Sequence, residues 1–379
     1  MAKGSIEPYK NLISPELVHW LGHHLTRAHR GFNANTFSAE VVPQLSALEL
    51  KARVALIADV LHRHLPTDAD QRAALLKAIL HPDPLDHANQ PSDAEGICGW
   101  GIWPLTMVVS EHGLEDFDRS MALLREMTMR FSAEFGVRRF LHADQSRALA
   151  IMASWVGDPN RHVRRLVSEG TRPRLPWGMR LTGLVRDPSP ILPLLEQLRD
   201  DPEEYVRRSV ANNLNDIAKD HPAVVAALAA HWAKGGGKTR RRLVRHALRS
   251  LIKAGDAAAL RVIGQGVVQV EKGPLTLDRD AVRMGEQLGF EIDLRSTAEA
   301  PQSITVDYVV HFLKANGALS PKVFKGSTMN LPAGGSATFR RSHRFMEITT
   351  RKHYPGSHAL SLRINGEDTQ PVAFALRAR

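Results

Sequence analysis

A stack of helix pairs followed by a two-layer β module is the architecture this sequence predicts, and three observations carry it. The tripeptide Val-Arg-Arg returns at Val137-Arg138-Arg139, Val163-Arg164-Arg165 and Val206-Arg207-Arg208, each time opening a helical pattern after a short polar break, with a degraded copy at Val244-Arg245-His246. Helix-break-helix units of roughly 40 residues mark HEAT or armadillo solenoids, in which each unit buries its apolar face against the next. The interval from Val137 to Val163 is shorter than that from Val163 to Val206, so the units are irregular. Beyond about residue 285 the pattern turns to alternation in FEIDLRS, SITVDYVVHFLK, SATFRRSHRF and HALSLRING, punctuated by Ala-Asn-Gly, Ala-Gly-Gly and Asn-Gly turns. These patterns give an all-α HEAT-like repeat solenoid over residues 1–280 and a C-terminal all-β immunoglobulin-like sandwich over residues 286–379.

Taken in order, residues 11–80 read as several helices, with Leu17, Trp20 and Leu21 on one stripe and a long periodic run in LSALELKARVALIADVLHRHL. The Pro- and Asp-rich stretch 81–96 breaks this region from the next. Trp100, Trp103 and Met107 fall close together, which predicts core packing at a junction between units. From Leu114 to Asp256 helix pairs follow one another, and in the last of them Arg245, Arg249 and Lys253 recur at i+4 on one face. The Gly235-Gly236-Gly237 turn before that helix lacks the Lys-Ser/Thr ending of a nucleotide-binding loop. In the β region Lys322, Lys325, Arg340, Arg341, Arg344, Arg351 and Lys352 are expected in loops, either as a solubility-bearing surface or as a second nucleic-acid contact.

Composition narrows the function classes. With 43% hydrophobic and 24% charged residues the chain is globular, and a net charge of +10 with arginines in register favours a polyanionic partner such as nucleic acid. The lone Cys98 excludes an internal disulfide and suits a reducing compartment, and the spacing of Cys and His residues matches no zinc site. His23, His24, His62 and His64 read as members of solvated faces. The N-terminus lacks a signal-peptide core and no run reaches the roughly 18 apolar residues of a membrane span, so a cytoplasmic protein is expected.

The chemistry concentrates in residues 151–177, IMASWVGDPNRHVRRLVSEGTRPRLPW. Val163, Leu166 and Val167 make one apolar face, while Arg164 with Ser168, and Arg165 with Glu169, pair at i, i+4 on a face expected to meet solvent. As a surface ion pair, Arg165 and Glu169 would contribute only a few tenths of a kcal/mol. Three acids nevertheless lie near the arginine pairs, where carboxylates weaken phosphate binding: Glu134, Glu169 and Asp216, the last on a stripe running from Arg208 through Asn212. Their convergence does not follow from spacing. A converged cluster would suit N-glycosidic hydrolysis, because carboxylates stabilise a sugar oxocarbenium ion while one of them orients water. Trp177, bracketed by Pro173 and Pro176, is either an aromatic face for a cationic base or sugar or a core plug between units.

The stretches VRRLVSEGTRPRLPW, LELKARVALIADVLHRHLP, GWGIWPLTMVV and EFGVRRFL resemble the AlkC branch of the AlkC/AlkD DNA alkylation-repair glycosylases, and the tail KVFKGSTMNLPAG…TTRKHYPGSHALSLRING resembles the immunoglobulin-like domain of some members. The resemblance implies a DNA glycosylase that excises cationic 3-methyladenine and 3-methylcytosine from duplex DNA for base excision repair without fully flipping the base. It implies Glu134, Glu169, Asp216 and Trp177 as active-site residues; the repeat pattern and charge place Arg138, Arg139, Arg164, Arg165, Arg207, Arg208, Arg241 and Arg245 on a basic surface expected to hold phosphates. No metal or other cofactor is expected, and a monomer associated with the nucleoid of a bacterial cell is. The alternatives are a non-catalytic HEAT-repeat scaffold that binds DNA or protein through the same basic surface, and an armadillo-like binder of acidic peptides.

Overall fold

The computed structural model describes residues 8–84, 90–265, 268–347 and 353–378. Helices fill the chain up to residue 262 and strands fill it from residue 270. The chain divides into two compact units, with the break between Asp220 and His221.

In the first unit the helices are α1 (Pro15–Ala28), α2 (Ala34–Leu45), α3 (Leu50–His64), α4 (Ala69–Ala78), α5 (Ile102–His112), α6 (Phe117–Thr128), α7 (Val137–Ala143), α8 (Gln145–Ala153), α9 (Arg161–Gly170), α10 (Thr182–Arg186), α11 (Leu192–Leu198) and α12 (Glu204–Ile217). Five of them, α1, α2, α4, α8 and α9, begin where a short polar side chain accepts a bond from the free amides of the first turn. Ser14 accepts from Leu17 at 3.3 Å, Asp68 from Gln71 at 2.8 Å, Asp144 from Arg147 at 3.0 Å and Asn160 from His162 at 2.8 Å. Each helix then buries a stripe against its neighbour, and α9 packs along α12. A Cβ on Gly170 would lie 2.6 Å from Val137 Cγ2, so glycine permits the close approach of α9 to α7. The tryptophans near residue 100 pack as expected: Trp103 is buried and stacks on Phe135 at 5.2 Å, and Trp100 leans on Trp103 at 5.9 Å. His24 departs from the solvated face expected of it, since it is buried with Nε2 2.7 Å from the Asp93 carbonyl oxygen, and burial lowers its pKa.

The second unit opens with α13 (Pro222–Ala233), α14 (Lys238–Ala247), α15 (Arg249–Ala254) and α16 (Ala257–Val262). Its strands are β1 (Val270–Lys272), β2 (Thr276–Leu277), β3 (Ala281–Arg283), β4 (Gln287–Ser296), β5 (Gln302–Leu313), β6 (Leu319–Leu331), β7 (Ser336–Arg344), β8 (Gly356–Ile364), β9 (Glu367–Asp368) and β10 (Val372–Arg377). One sheet centres on β4, which pairs antiparallel with β1, β2 and β7. The other runs β3-β10-β8-β5-β6, with the β10–β3 pair parallel. Alternation in β4 sends Leu288, Phe290, Ile292 and Leu294 into a core shared with Ile304, Val306 and Val310 of β5 and Leu360 and Leu362 of β8. Strands begin at Val270, inside the span 1–280 expected to be helical and well before residue 286; β1, β2 and β3 are too short to show a period of two in the sequence.

The basic residues of this module sit on strands instead of in loops. Lys322 and Lys325 are on β6, and Arg340, Arg341 and Arg344 on β7, where Arg340 Nε donates to Glu291 of β4 at 2.6 Å. Arg351 and Lys352 lie outside the described residues. Among the described residues no helix is long and apolar enough to cross a membrane.

Candidate active site

The polar face of α9 does not meet solvent; it meets α12, and that contact converts an expected surface ion pair into a buried network. Ser168 and Glu169 are buried. Arg172, just beyond the end of α9, donates from Nη1 to Glu169 Oε1 at 2.6 Å and from Nε to Asp216 Oδ2 at 2.8 Å. Ser209 of α12 donates to Glu169 Oε2 at 2.6 Å, and Lys219 reaches Asp216 Oδ1 at 2.7 Å. On the other side Arg165 Nη1 donates to Glu134 Oε2 at 2.8 Å and to Ser132 Oγ at 3.0 Å, while its Nη2 lies 3.6 Å from Glu169. The guanidinium of Arg165 also lies 5.0 Å from the centroid of the Tyr205 ring.

Glu134, Glu169 and Asp216 therefore belong to one alternating chain of acid and base: Glu134, Arg165, Glu169, Arg172, Asp216, Lys219. Burial pushes the Glu169 carboxyl up, but Arg165, then Arg172, and the Ser209 hydroxyl outweigh it and hold the group below the usual carboxylate range. Burial likewise pulls the Arg165 guanidinium down, and Glu134, Glu169 and Tyr205 hold it above the ordinary arginine value. Glu169, Arg165 and Arg172 thus favour one another's charged forms, at a desolvation cost that only good geometry offsets. Within it, Glu169 and Asp216 have both oxygens engaged. Glu134 differs: Ser132 and Arg165 both donate to Oε2, among the described residues no group donates to Oε1, and the side chain is 16% exposed.

Trp177 stands at the tip of a loop between α9 and α10, 62% exposed, which excludes the core-plug reading. Its backbone is left-handed, with φ +65°. For a bulky side chain this costs on the order of 1–3 kcal/mol and persists only where surroundings impose it. The loop closes on itself through Gly178 N to the Leu175 oxygen at 3.1 Å and Leu181 N to the Pro173 oxygen at 3.2 Å, and Leu175 is buried beneath it.

The arginine pairs separate into inner and outer members. Arg138 is 0% exposed, so it cannot hold a phosphate as the sequence suggests; Nε, Nη1 and Nη2 all donate to backbone oxygens, those of Gly170, Arg172 and Met179. Burial, with Arg172 adding to it, lowers its pKa to about 10, which leaves it charged at neutral pH. Arg164 is largely buried and grips Asp201 through Nε at 2.6 Å and Nη2 at 3.0 Å, and Arg165 is enclosed in the network described above. Arg207 is half-buried on the carbonyls of Asp201 and Pro202. On the outside, Arg139 is exposed beside Glu111 at 2.6 Å, and Arg208, Arg241 and Arg245 are exposed. Arg208 and Asp216, expected on one stripe, have different surroundings: Arg208 is exposed and Asp216 is buried.

Residues 127–253 match the family described as DNA alkylation repair enzyme, and residues 271–378 match the one described as Uncharacterised protein YhaZ, C-terminal Ig-like domain. The chain is 36% identical over 367 residues to the Uncharacterized protein YhaZ of Bacillus subtilis (strain 168), covering 96% of this chain and 98% of that protein. It superposes on the Pseudomonas fluorescens alkylpurine DNA glycosylase AlkC, bound to DNA containing an abasic site analog, with a TM-score of 0.85 and 37% identity over 98% of this chain and 100% of that one. The chain belongs to the AlkC branch of the DNA alkylation repair glycosylases. The segment matching the repair-enzyme family holds all three acids of this AlkC-type chain and the arginines that link them.

Several members of this AlkC-type site escaped sequence reasoning: Arg172, Ser132, Ser209, Lys219 and Tyr205. Arg172 had a signal, since it follows Glu169 by three residues and can share its face. Ser132 had one too, since it precedes Glu134 by two residues and bonds it locally; Ser209 had none, because it reaches Glu169 only through the packing of α12 on α9.

Proposed function

We propose that this chain hydrolyses the N-glycosidic bond of cationic alkylated bases, 3-methyladenine and 3-methylcytosine, in duplex DNA, as one protein copy acting without full flipping of the base. The observation that carries the reading is the ion-pair network of Glu134, Arg165, Glu169, Arg172 and Asp216, in which the guanidiniums of Arg165 and Arg172 draw three carboxylates together. Its three carboxylates converge and Glu134 keeps an oxygen to which no described group donates, while Arg138 beside them and Lys219 at the solvent edge offset much of their charge. Such a site favours a sugar cation over a neutral sugar.

A base already bearing a positive charge leaves without protonation, so no general acid is needed. This fits a site whose acid Glu169 is held below the usual carboxylate range and has no proton to give at neutral pH. Glu134, with one oxygen uncommitted, is the acid that would orient the attacking water. Trp177 would lay an aromatic face against the cationic base or the sugar. Phosphates would meet Arg139, Arg208, Arg241 and Arg245 on exposed faces.

The test is release of free 3-methyladenine and formation of abasic sites when alkylated duplex DNA meets saturating protein; neutral lesions should be poor substrates. A second reading, a non-catalytic DNA-binding scaffold, is favoured by the full engagement of both oxygens of Glu169 and Asp216, as in a purely structural network. Base release no faster than in buffer would decide for that scaffold.

A further inference from the structure

We propose that Arg138 and Lys51 are positioning residues that brace the loop carrying Trp177 and hold its ring ready for the damaged nucleotide. The proposal rests on the functional reading above. A tryptophan that is largely exposed and left-handed is not in the conformation its own chemistry prefers, so something outside the residue holds it there. Among the described residues no aromatic ring lies against Trp177, so packing of the indole on another ring is not the cause; the backbone contacts are.

Arg138 supplies the base of the brace. Nη1 donates to the Gly170 oxygen at 2.9 Å and to the Arg172 oxygen at 2.7 Å, and Nε donates to the Met179 oxygen at 2.7 Å. One buried, rigid guanidinium thus bonds the chain on both sides of the Trp177 tip, where a lysine could not span the same fork of acceptors. The fit is close: a Cβ on Gly178 would come within 3.2 Å of Arg138 Nε. The Gly170 oxygen belongs to the last turn of α9, whose carbonyls have no partner within the helix, so the same side chain also ends that helix.

Lys51 supplies the apex. Its Nζ donates to the carbonyl oxygen of Trp177 itself at 2.7 Å, from a position 126 residues away in the chain. It sits in the first turn of α3, where a cation opposes the helix dipole. Fixing that carbonyl fixes ψ at Trp177, as the Arg138 bonds fix the two ends of the loop, and neither contact touches the indole. The ring is left free for a ligand.

The test uses full-length protein labelled with 5-fluorotryptophan, the Trp177 resonance being assigned by its loss in Trp177→Phe. In Lys51→Met, an exposed substitution, the Trp177 line should move while the other tryptophan lines stay, and melting should be unchanged. Single-turnover excision of 3-methyladenine should fall roughly tenfold with duplex affinity kept, a loss of positioning and not of binding. Lys51→Arg should restore both signals in large part. Arg138→Lys should shift the Trp177 line further; if it does not fold, the Lys51 pair carries the test alone. An unmoved line in Lys51→Met overturns the proposal, as does a moved line with an unchanged excision rate. If wild-type protein excises nothing, the glycosylase reading fails separately, and a line that still moves supports the brace.

Discussion

Replacing Glu169 by glutamine probes the network at its centre, because that side chain touches Arg172, Ser209 and Arg165 at once. Glu169→Gln keeps the shape and one acceptor but removes one of the three negative charges that Arg165 and Arg172 hold together. A charge roughly 6 Å from a sugar cation at an effective dielectric of about 20 contributes about 3 kcal/mol. That is a rate loss of about 10²-fold. Breaking a buried ion pair costs about 3–5 kcal/mol, and the retained acceptor brings the expectation to about 2–3 kcal/mol. For a unit of this size the melting temperature should fall by about 5–10 °C. The burial seen here replaces the few tenths of a kcal/mol that a surface pair would give. Excision is measured in single turnover well below the variant's melting temperature, and duplex affinity beside it should hold or rise. Ser209→Ala is the control, since it removes a bond to the same carboxylate and leaves the charge. A Glu169→Gln rate within about threefold of wild type, in a variant destabilised as calculated, would refute the catalytic assignment; a melting shift near zero would refute the burial argument.

Acid should erase part of that stability gap. Because the Glu169 pKa is depressed in the folded state, its contribution is complete above the ordinary glutamate value near 4.3 and is lost as pH falls toward the lower folded value. Denaturant unfolding of wild type and Glu169→Gln should therefore give a gap that is constant from pH 7 to about 5 and narrows below it, and a gap that widens on acidification would contradict the sign. The inner and outer arginines should also behave differently. Arg208→Ala should lower the salt slope of duplex binding by about one unit with little change in melting. Arg164→Ala should lower melting because it strands the buried Asp201, and equal effects of both variants on the slope would undo the division. Finally, burial raises the Cys98 thiol to about 11, so a thiol reagent at pH 8 should label the native protein only as fast as it opens. Rapid labelling of folded protein would place that cysteine at the surface.

The order of elements was largely legible in the chain. The Val-Arg-Arg copies do start or enter helices, in α7, α9 and α12, because valine periodicity and the polar breaks before them are local properties. Alternation likewise revealed β4, β5, β7 and β8, while β1, β2 and β3 were too short to show it. The three acids and Trp177 were singled out from their chemistry and from family resemblance. What periodicity could not give was the environment of a polar face. Spacing at i, i+4 says that Arg165 and Glu169 share a side of α9, but whether that side meets water or α12 is decided by tertiary packing, and so is the difference between a weak surface pair and a buried ion-pair network. Arg138 illustrates the same limit: its partners are backbone oxygens, which every residue carries, so no sequence pattern distinguishes it from the exposed Arg139 beside it. The sequence by itself determined which residues are charged, periodic and aromatic. Only the tertiary structure decided which of them are desolvated, and desolvation sets the strength of every charge in this site.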